Sequence, residues 1–175
     1  KVKESLDIDI TVPKKPFPKY TMAEAKDMLE KEGIKTQREA DLRADEEIAL
    51  SEIVKKKDGH NFVFITDWPV EVRPFYHMRY AENPKLTKSF DLLYKGLEVT
   101  TGSQREHRYD VLLEQAKDKG MDVKSLEGYL NFFKYGCPPH GGVGIGPSRV
   151  VMKILDMPSV KDATFLPRDV KRLTP

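Results

Sequence analysis

Two short β-prone runs flank the dipeptide Lys95-Gly96: Ser89-Phe-Asp-Leu-Leu-Tyr94 before it and Leu97-Glu-Val-Thr-Thr101 after it. Branched and aromatic residues on both sides of a glycine-containing turn pair as a β-hairpin. With Lys95 and Gly96 at the turn, Glu98 stands opposite Leu93, and Asp91 shares the face of Leu93. The two carboxylates are then diagonal neighbours, roughly 7–8 Å apart by backbone geometry. Two acids at that separation suit a hard cation with oxygen ligands, above all one that also carries phosphate oxygens. The plain alternative is a solvated acidic face.

Around the hairpin, periodicity supplies the other elements. Leu6 to Val12 alternates apolar and polar, which predicts a strand. Thr21 with Glu24 three residues on reads as a capping box, starting a helix on Met22, Ala25, Met28 and Leu29 that stops at Gly33. A second helix is expected from about Ala44 to Lys57, with Lys55, Lys56 and Lys57 at its negative end. Asn61 to Thr66 is apolar on both faces, as in an interior strand, and Phe75 to Tyr80 reads as another strand. Apolar spacing places amphipathic helices within Arg105–Lys119 and around Leu126–Phe133, both lying against the sheet. Gly141 to Gly146 forms a glycine-rich strand, and Pro147 opens a final helix. Hairpins interleaved with helices favour an α+β fold with a mainly antiparallel sheet.

Two further stretches bear on chemistry. Arg105 directly follows the hairpin strand, where a planar guanidinium can meet a small carboxylate or phosphate; a surface ion pair with Glu106 or Asp110 is the competing reading. In Gly141-Gly-Val-Gly-Ile-Gly-Pro-Ser-Arg149, alternating glycines strip one strand face of side chains, so a flat ligand can lie on the backbone. Close packing explains the same glycines equally well. Arg149, in the first turn of the following helix, can reach an anion beside the positive helix end. The glycines lie within the strand rather than between strand and helix, which excludes the dinucleotide-binding fingerprint. His77, His107 and His140 are too scattered for ligand spacing, and Trp68, Phe75 and Tyr76 read as core.

Composition narrows the classes. With 30 Lys+Arg against 28 Asp+Glu, the net charge of +2 cannot hold nucleic acid by field alone, so any such role is local or supplied elsewhere. One cysteine excludes a disulfide scaffold and fits a reducing compartment. No apolar run approaches the ~20 residues of a membrane-spanning helix, and no signal-peptide core is seen near Lys1, so a cytoplasmic protein is expected.

The strings FDLLYKGLEVTTGSQREHRYDVL, YGCPPHGGVGIGPSR and LPRDVKRLTP, with RPFYHM at Arg73 to Met78, resemble the second half of the catalytic domain of aspartyl-tRNA synthetases, especially the archaeal type. The resemblance covers residues 61–175, with 1–60 as a linking region. It implies a class II synthetase fold. It also implies an ATP-dependent ligase that joins aspartate to ATP as aspartyl-adenylate and passes the aspartyl group to tRNA. By resemblance, Asp91, Glu98 and Thr101 hold magnesium on the ATP phosphates. Arg105 grips the substrate's side-chain carboxylate near Thr101 and His140. Glu98, Gly144, Gly146 and Arg149 bind ATP, with the glycines under the adenosine, and Arg105 and Arg149 are the catalytic candidates.

The family's first motif, which forms its homodimer, and its second, which carries the α-phosphate arginine, are not found here. Nor is an anticodon-binding barrel. Ser148 replaces the acid that usually precedes the third-motif arginine. The chain is therefore expected to be the C-terminal part of a longer enzyme, weak or inactive alone. A paralogue that makes asparagine from aspartate and ammonia shares the same residues. A non-catalytic, synthetase-like binding subunit is the third reading.

Overall fold

The hairpin organises the sheet. In a computed structural model, which describes residues 4, 5, 8, 10 and 12–174, β1 (Lys19–Thr21), β2 (Phe62–Thr66), β3 (Ser89–Tyr94), β4 (Leu97–Gln104) and β5 (Gly141–Ile145) lie side by side in that order. β1 runs parallel to β2, and every other neighbouring pair is antiparallel. The α+β expectation thus holds, as a mixed sheet of five strands. Five α-helices accompany it among the described residues: α1 (Met22–Lys31), α2 (Ala44–Asp58), α3 (Tyr109–Asp118), α4 (Glu127–Lys134) and α5 (Pro147–Ile154). None is long and apolar enough to cross a membrane. The strand predicted over Leu6 to Val12 falls on a segment that lies largely outside the described residues.

Local chemistry explains the element ends. Thr21 Oγ1 accepts the Glu24 amide at 3.2 Å, and the Glu24 carboxylate accepts the Thr21 amide at 2.8 Å, closing the capping box of α1. Replacing Thr21 with Ala is expected to cost about 1 kcal/mol of stability, read as a shift in the urea midpoint. Lys95 and Gly96 both have positive φ, 47° and 75°, as a tight hairpin turn with the strands' own twist requires. A Cβ on Gly96 would also lie 2.8 Å from the Ile48 Cα, so only glycine lets the hairpin tip meet α2.

The helices α1 and α2 cover one face of the sheet over β1 to β3. Leu29, Leu50, Val54, Val63, Ile65, Trp68 and Leu93 form the core there. The other face carries an aromatic ladder in which Phe62 stacks between Phe17 and Tyr94. Helices α3 and α4 build a second core with Phe75, through Leu112, Ala116, Leu130 and Phe133. They pack chiefly on each other and on the loop of Phe75, not over the strands as expected.

One local expectation is corrected. Phe75 to Tyr80 is no strand: after Pro74 it makes only isolated bridges, His77 to Arg105 and Arg79 to Thr87. Its backbone is shared between two neighbours, Met78 N bonding to Gln104 O and Lys88 N to Met78 O, so no continuous ladder forms. The helix expected within Arg105–Lys119 is found and begins at Tyr109, because the buried Glu106 carboxylate takes the amides of His107 and Arg108 in a turn just before it.

Candidate active site

β4 brings the candidate residues together. Its pairing with β3 begins as predicted, Tyr94 to Leu97 and Leu93 to Glu98, then shifts to Leu92 with Thr100 and Asp91 with Thr101. Val99 is the extra residue of a β-bulge. The bulge places Thr101, rather than Thr100, opposite Asp91. Alternation from there puts Asp91, Thr101, Ser103 and Arg105 on one face. Gly144 lies opposite Thr101 and Gly142 opposite Ser103. This is the face that α1 and α2 cover further along the sheet; α2 and α5 reach the β4 end of it, and Gly144 on β5 is exposed.

The two acids differ. Asp91 is buried, and its Oδ2 accepts from Arg73 Nη2 at 2.5 Å. Glu98 is about one-third exposed, and Arg149 Nη1 bonds to its backbone oxygen at 2.7 Å and to its carboxylate at 3.4 Å. Burial, then the nearby Asp91, raises the Glu98 carboxyl above the ordinary range, against the pull of Arg149 and Arg73. Helix α5 thereby fastens to the hairpin, and Lys95 strengthens the join by bonding to Asp156 at 2.8 Å.

Arg105 makes no ion pair with Glu106 or Asp110. Glu106 is taken instead by the Arg108 fork, at 2.9 and 2.8 Å, which with the two backbone amides outweighs the effect of burial and lowers the Glu106 carboxyl. The Arg105 guanidinium lies over the Tyr76 ring at 4.5 Å, with Nη1 buried and unpartnered. A Cβ on Gly142 would come within 2.7 Å of its Nε. The glycine that makes room for an arginine is therefore Gly142. Gly144 has only ordinary contacts near it, leaving its strand face open. His140 is exposed; its backbone oxygen accepts the Arg105 amide at 2.9 Å, so it holds Arg105 through the main chain.

Three contributors were not legible as such. Arg73 bridges Asp91 and Thr101, donating to Thr101 Oγ1 at 3.3 Å. Tyr76 underlies Arg105. Glu47, third of three consecutive acids at the start of α2, is pushed up to about 7 by burial, then by Glu98 and Asp91. The only sequence signal was Arg73 and Tyr76 in the string RPFYHM. His77 is buried and pushed down to about 4 by burial, then by Arg105 and Arg73.

The last two shifts oppose each other. Glu47, raised, contributes stability below about pH 4.5 that is lost as pH rises through 7; His77, depressed, contributes stability above about pH 6.5 that is lost as pH falls through 4. Across about pH 5 to 6.5 the two slopes oppose each other, each at most ~1.4 kcal/mol per pH unit, and the raised Glu98 acts in the same sense as Glu47. In metal-free buffer, His77→Gln is expected to become less stable as pH rises from 5 to 7, and Glu47→Gln as it falls. Urea midpoints across that window check both signs.

A cavity of about 550 Å³ also touches β4 and β5, lined by Phe90, Gln104, His140 and Val143. The Phe90, Gln104 and Val143 side chains alternate with Asp91, Ser103 and Gly144 of the candidate face, so the cavity opens chiefly on the reverse face, although Ser103 and Gly142 also line it.

Residues 1–170 match the family of class II tRNA synthetases (D, K and N). The aspartate–tRNA(Asp) ligase of Pyrococcus horikoshii is 41% identical over 172 residues, covering 98% of this chain and 39% of that protein. The aspartate–tRNA(Asp/Asn) ligase of Aeropyrum pernix is 46% identical over 165 residues, covering 94% and 37%. The solved aspartyl-tRNA synthetase of Entamoeba histolytica superposes with a TM-score of 0.91 at 32% identity, over 99% of this chain and 36% of that one. The chain thus spans about two-fifths of the length of the curated relatives it matches. Fold, residue pattern and relatives agree: the chain belongs to the class II tRNA synthetases of the aspartate, lysine and asparagine group.

Proposed function

We propose that this chain supplies the ATP, magnesium and aspartate contacts of an aspartate–tRNA ligase, with residues 61–175 bearing the site. The observation that carries this reading is the one sheet face that brings Asp91, Glu98 and Thr101 beside the exposed Gly144 strand, with Arg105 and Arg149 at its two ends. In the reaction the aspartate carboxylate attacks the α-phosphorus of ATP and the bond to pyrophosphate breaks; a tRNA hydroxyl then attacks the aspartyl carbonyl, and AMP leaves. Such transfer rests on positioning and on neutralising charge. Arg149 would meet the terminal phosphate, and the free edge of its guanidinium suits that task because its contact with Glu98 is half-exposed. Arg105, stacked and unpaired, would take the substrate's side-chain carboxylate. Gly144 and Gly146 would lie under the adenosine.

Magnesium fits this donor set. Asp91 Oδ1 is buried with no hydrogen-bond partner, and a carboxylate, a second carboxylate and a hydroxyl are the hard oxygen ligands that ion takes. No three His, Cys, Asp or Glu side chains among the described residues gather closely enough to hold a metal by themselves. Water and phosphate oxygens would complete the shell, as for a metal that arrives with its nucleotide. When bound, magnesium would neutralise charge on the phosphates.

Equilibrium binding of ATP to the chain tests the proposal. Affinity is expected to fall at least tenfold when EDTA removes magnesium. Binding indifferent to the metal would refute it.

A further inference from the structure

Arg73 is left without a task by the reading above, yet it is the most constrained group in the site. Its Nη2 donates to Asp91 Oδ2 at 2.5 Å, its Nη1 to Thr101 Oγ1 at 3.3 Å, and its guanidinium stacks on Trp68 at 4.0 Å. The side chains of Arg73 and Asp91 are only 10% and 5% exposed. Separating such a buried pair is strongly unfavourable, so a cation entering the site meets Asp91 with Oδ2 already committed. What Asp91 has left to offer is Oδ1, buried and unpartnered.

We propose that Arg73 is a positioning residue that holds Asp91 as a one-oxygen ligand and so makes the site select magnesium over calcium. The inference rests on the reading of Asp91, Glu98 and Thr101 as the cation–phosphate site. Magnesium is small, keeps near-octahedral geometry and takes single carboxylate oxygens at about 2.0–2.1 Å. Calcium takes more ligands, at about 2.3–2.6 Å, and is well served by a carboxylate binding through both oxygens. With Oδ2 locked in the guanidinium fork, Asp91 cannot swing to offer both. The same fork fixes Thr101 Oγ1 relative to Asp91, which sets the spacing of two ligands at once. A lysine keeps the charge but has no planar fork to hold both oxygens.

The test compares the ATP dissociation constant of the chain in saturating Mg²⁺ with that in saturating Ca²⁺. The unsubstituted chain is expected to bind ATP more tightly with magnesium. In Arg73→Lys and Arg73→Met the ratio of the two constants is expected to narrow about tenfold, chiefly through relatively better binding with calcium. Arg73→Lys retains charge and bulk, and near-ultraviolet circular dichroism verifies its fold, so the test survives if Arg73→Met does not fold. An equal loss with both cations, or an unchanged ratio, overturns the role of Arg73 alone. Failure of the unsubstituted chain to bind ATP in a metal-dependent way overturns the site itself, and this proposal with it.

Discussion

Replacing Asp91 with Ala is expected to destabilise the chain by about 3–5 kcal/mol, the usual cost of leaving a buried charge without its partner. The cause is Arg73. With Asp91 gone, its guanidinium keeps only the longer contact to Thr101 and the stack on Trp68, at a site where its Nε already has no partner. The double variant Asp91→Ala with Arg73→Met should recover most of the loss, because it removes the stranded charge and leaves an apolar chain against Trp68. Urea unfolding of the two variants beside the unsubstituted chain measures both. A loss below about 1 kcal/mol for Asp91→Ala would show that the pair is not buried as described.

Arg149→Ala is expected to give the opposite profile. Its side chain is 48% exposed, its contact with the Glu98 carboxylate is long at 3.4 Å, and water can replace its 2.7 Å bond to the Glu98 backbone oxygen, so stability should change by about 1 kcal/mol or less. ATP affinity should nevertheless fall about 10- to 100-fold, the worth of one charge-assisted contact of roughly 1.5–3 kcal/mol to a phosphate. Calorimetric titration with magnesium–ATP checks the affinity, and unfolding on the same sample checks the fold. Unchanged affinity would leave Arg149 as a fastening between α5 and the hairpin.

How far the site could be read from sequence depends on where each residue's neighbours come from. The Lys95-Gly96 turn fixes pairing near itself, so Glu98 opposite Leu93 follows from local chemistry alone. The bulge at Val99 does not, since no residue type there demands it, and it shifts Asp91 from Thr100 to Thr101. Gly142 was hidden among similar glycines; only the packing of Arg105 shows that it, not Gly144, makes room for a guanidinium. Arg73 lies 18 residues before Asp91 on a loop held by isolated bridges, and no periodicity carries its reach. Glu47 sits among acids that read as helix-start residues, and its closeness to Glu98 comes from the packing of α2 on the hairpin tip. Elements with a strong repeat were legible; contacts made across layers were not.

Which sheet face holds the nucleotide is the question on which the rest depends. A crystal of the chain soaked with Mn²⁺ and ATP would answer it through the anomalous scattering of manganese. The expected map has one peak at about 2.1–2.2 Å from Asp91 Oδ1 and close to Glu98, with the phosphates toward Arg149 and the base over Gly144. A peak on the reverse face, with ATP in the cavity between Phe90 and Val143, would contradict it.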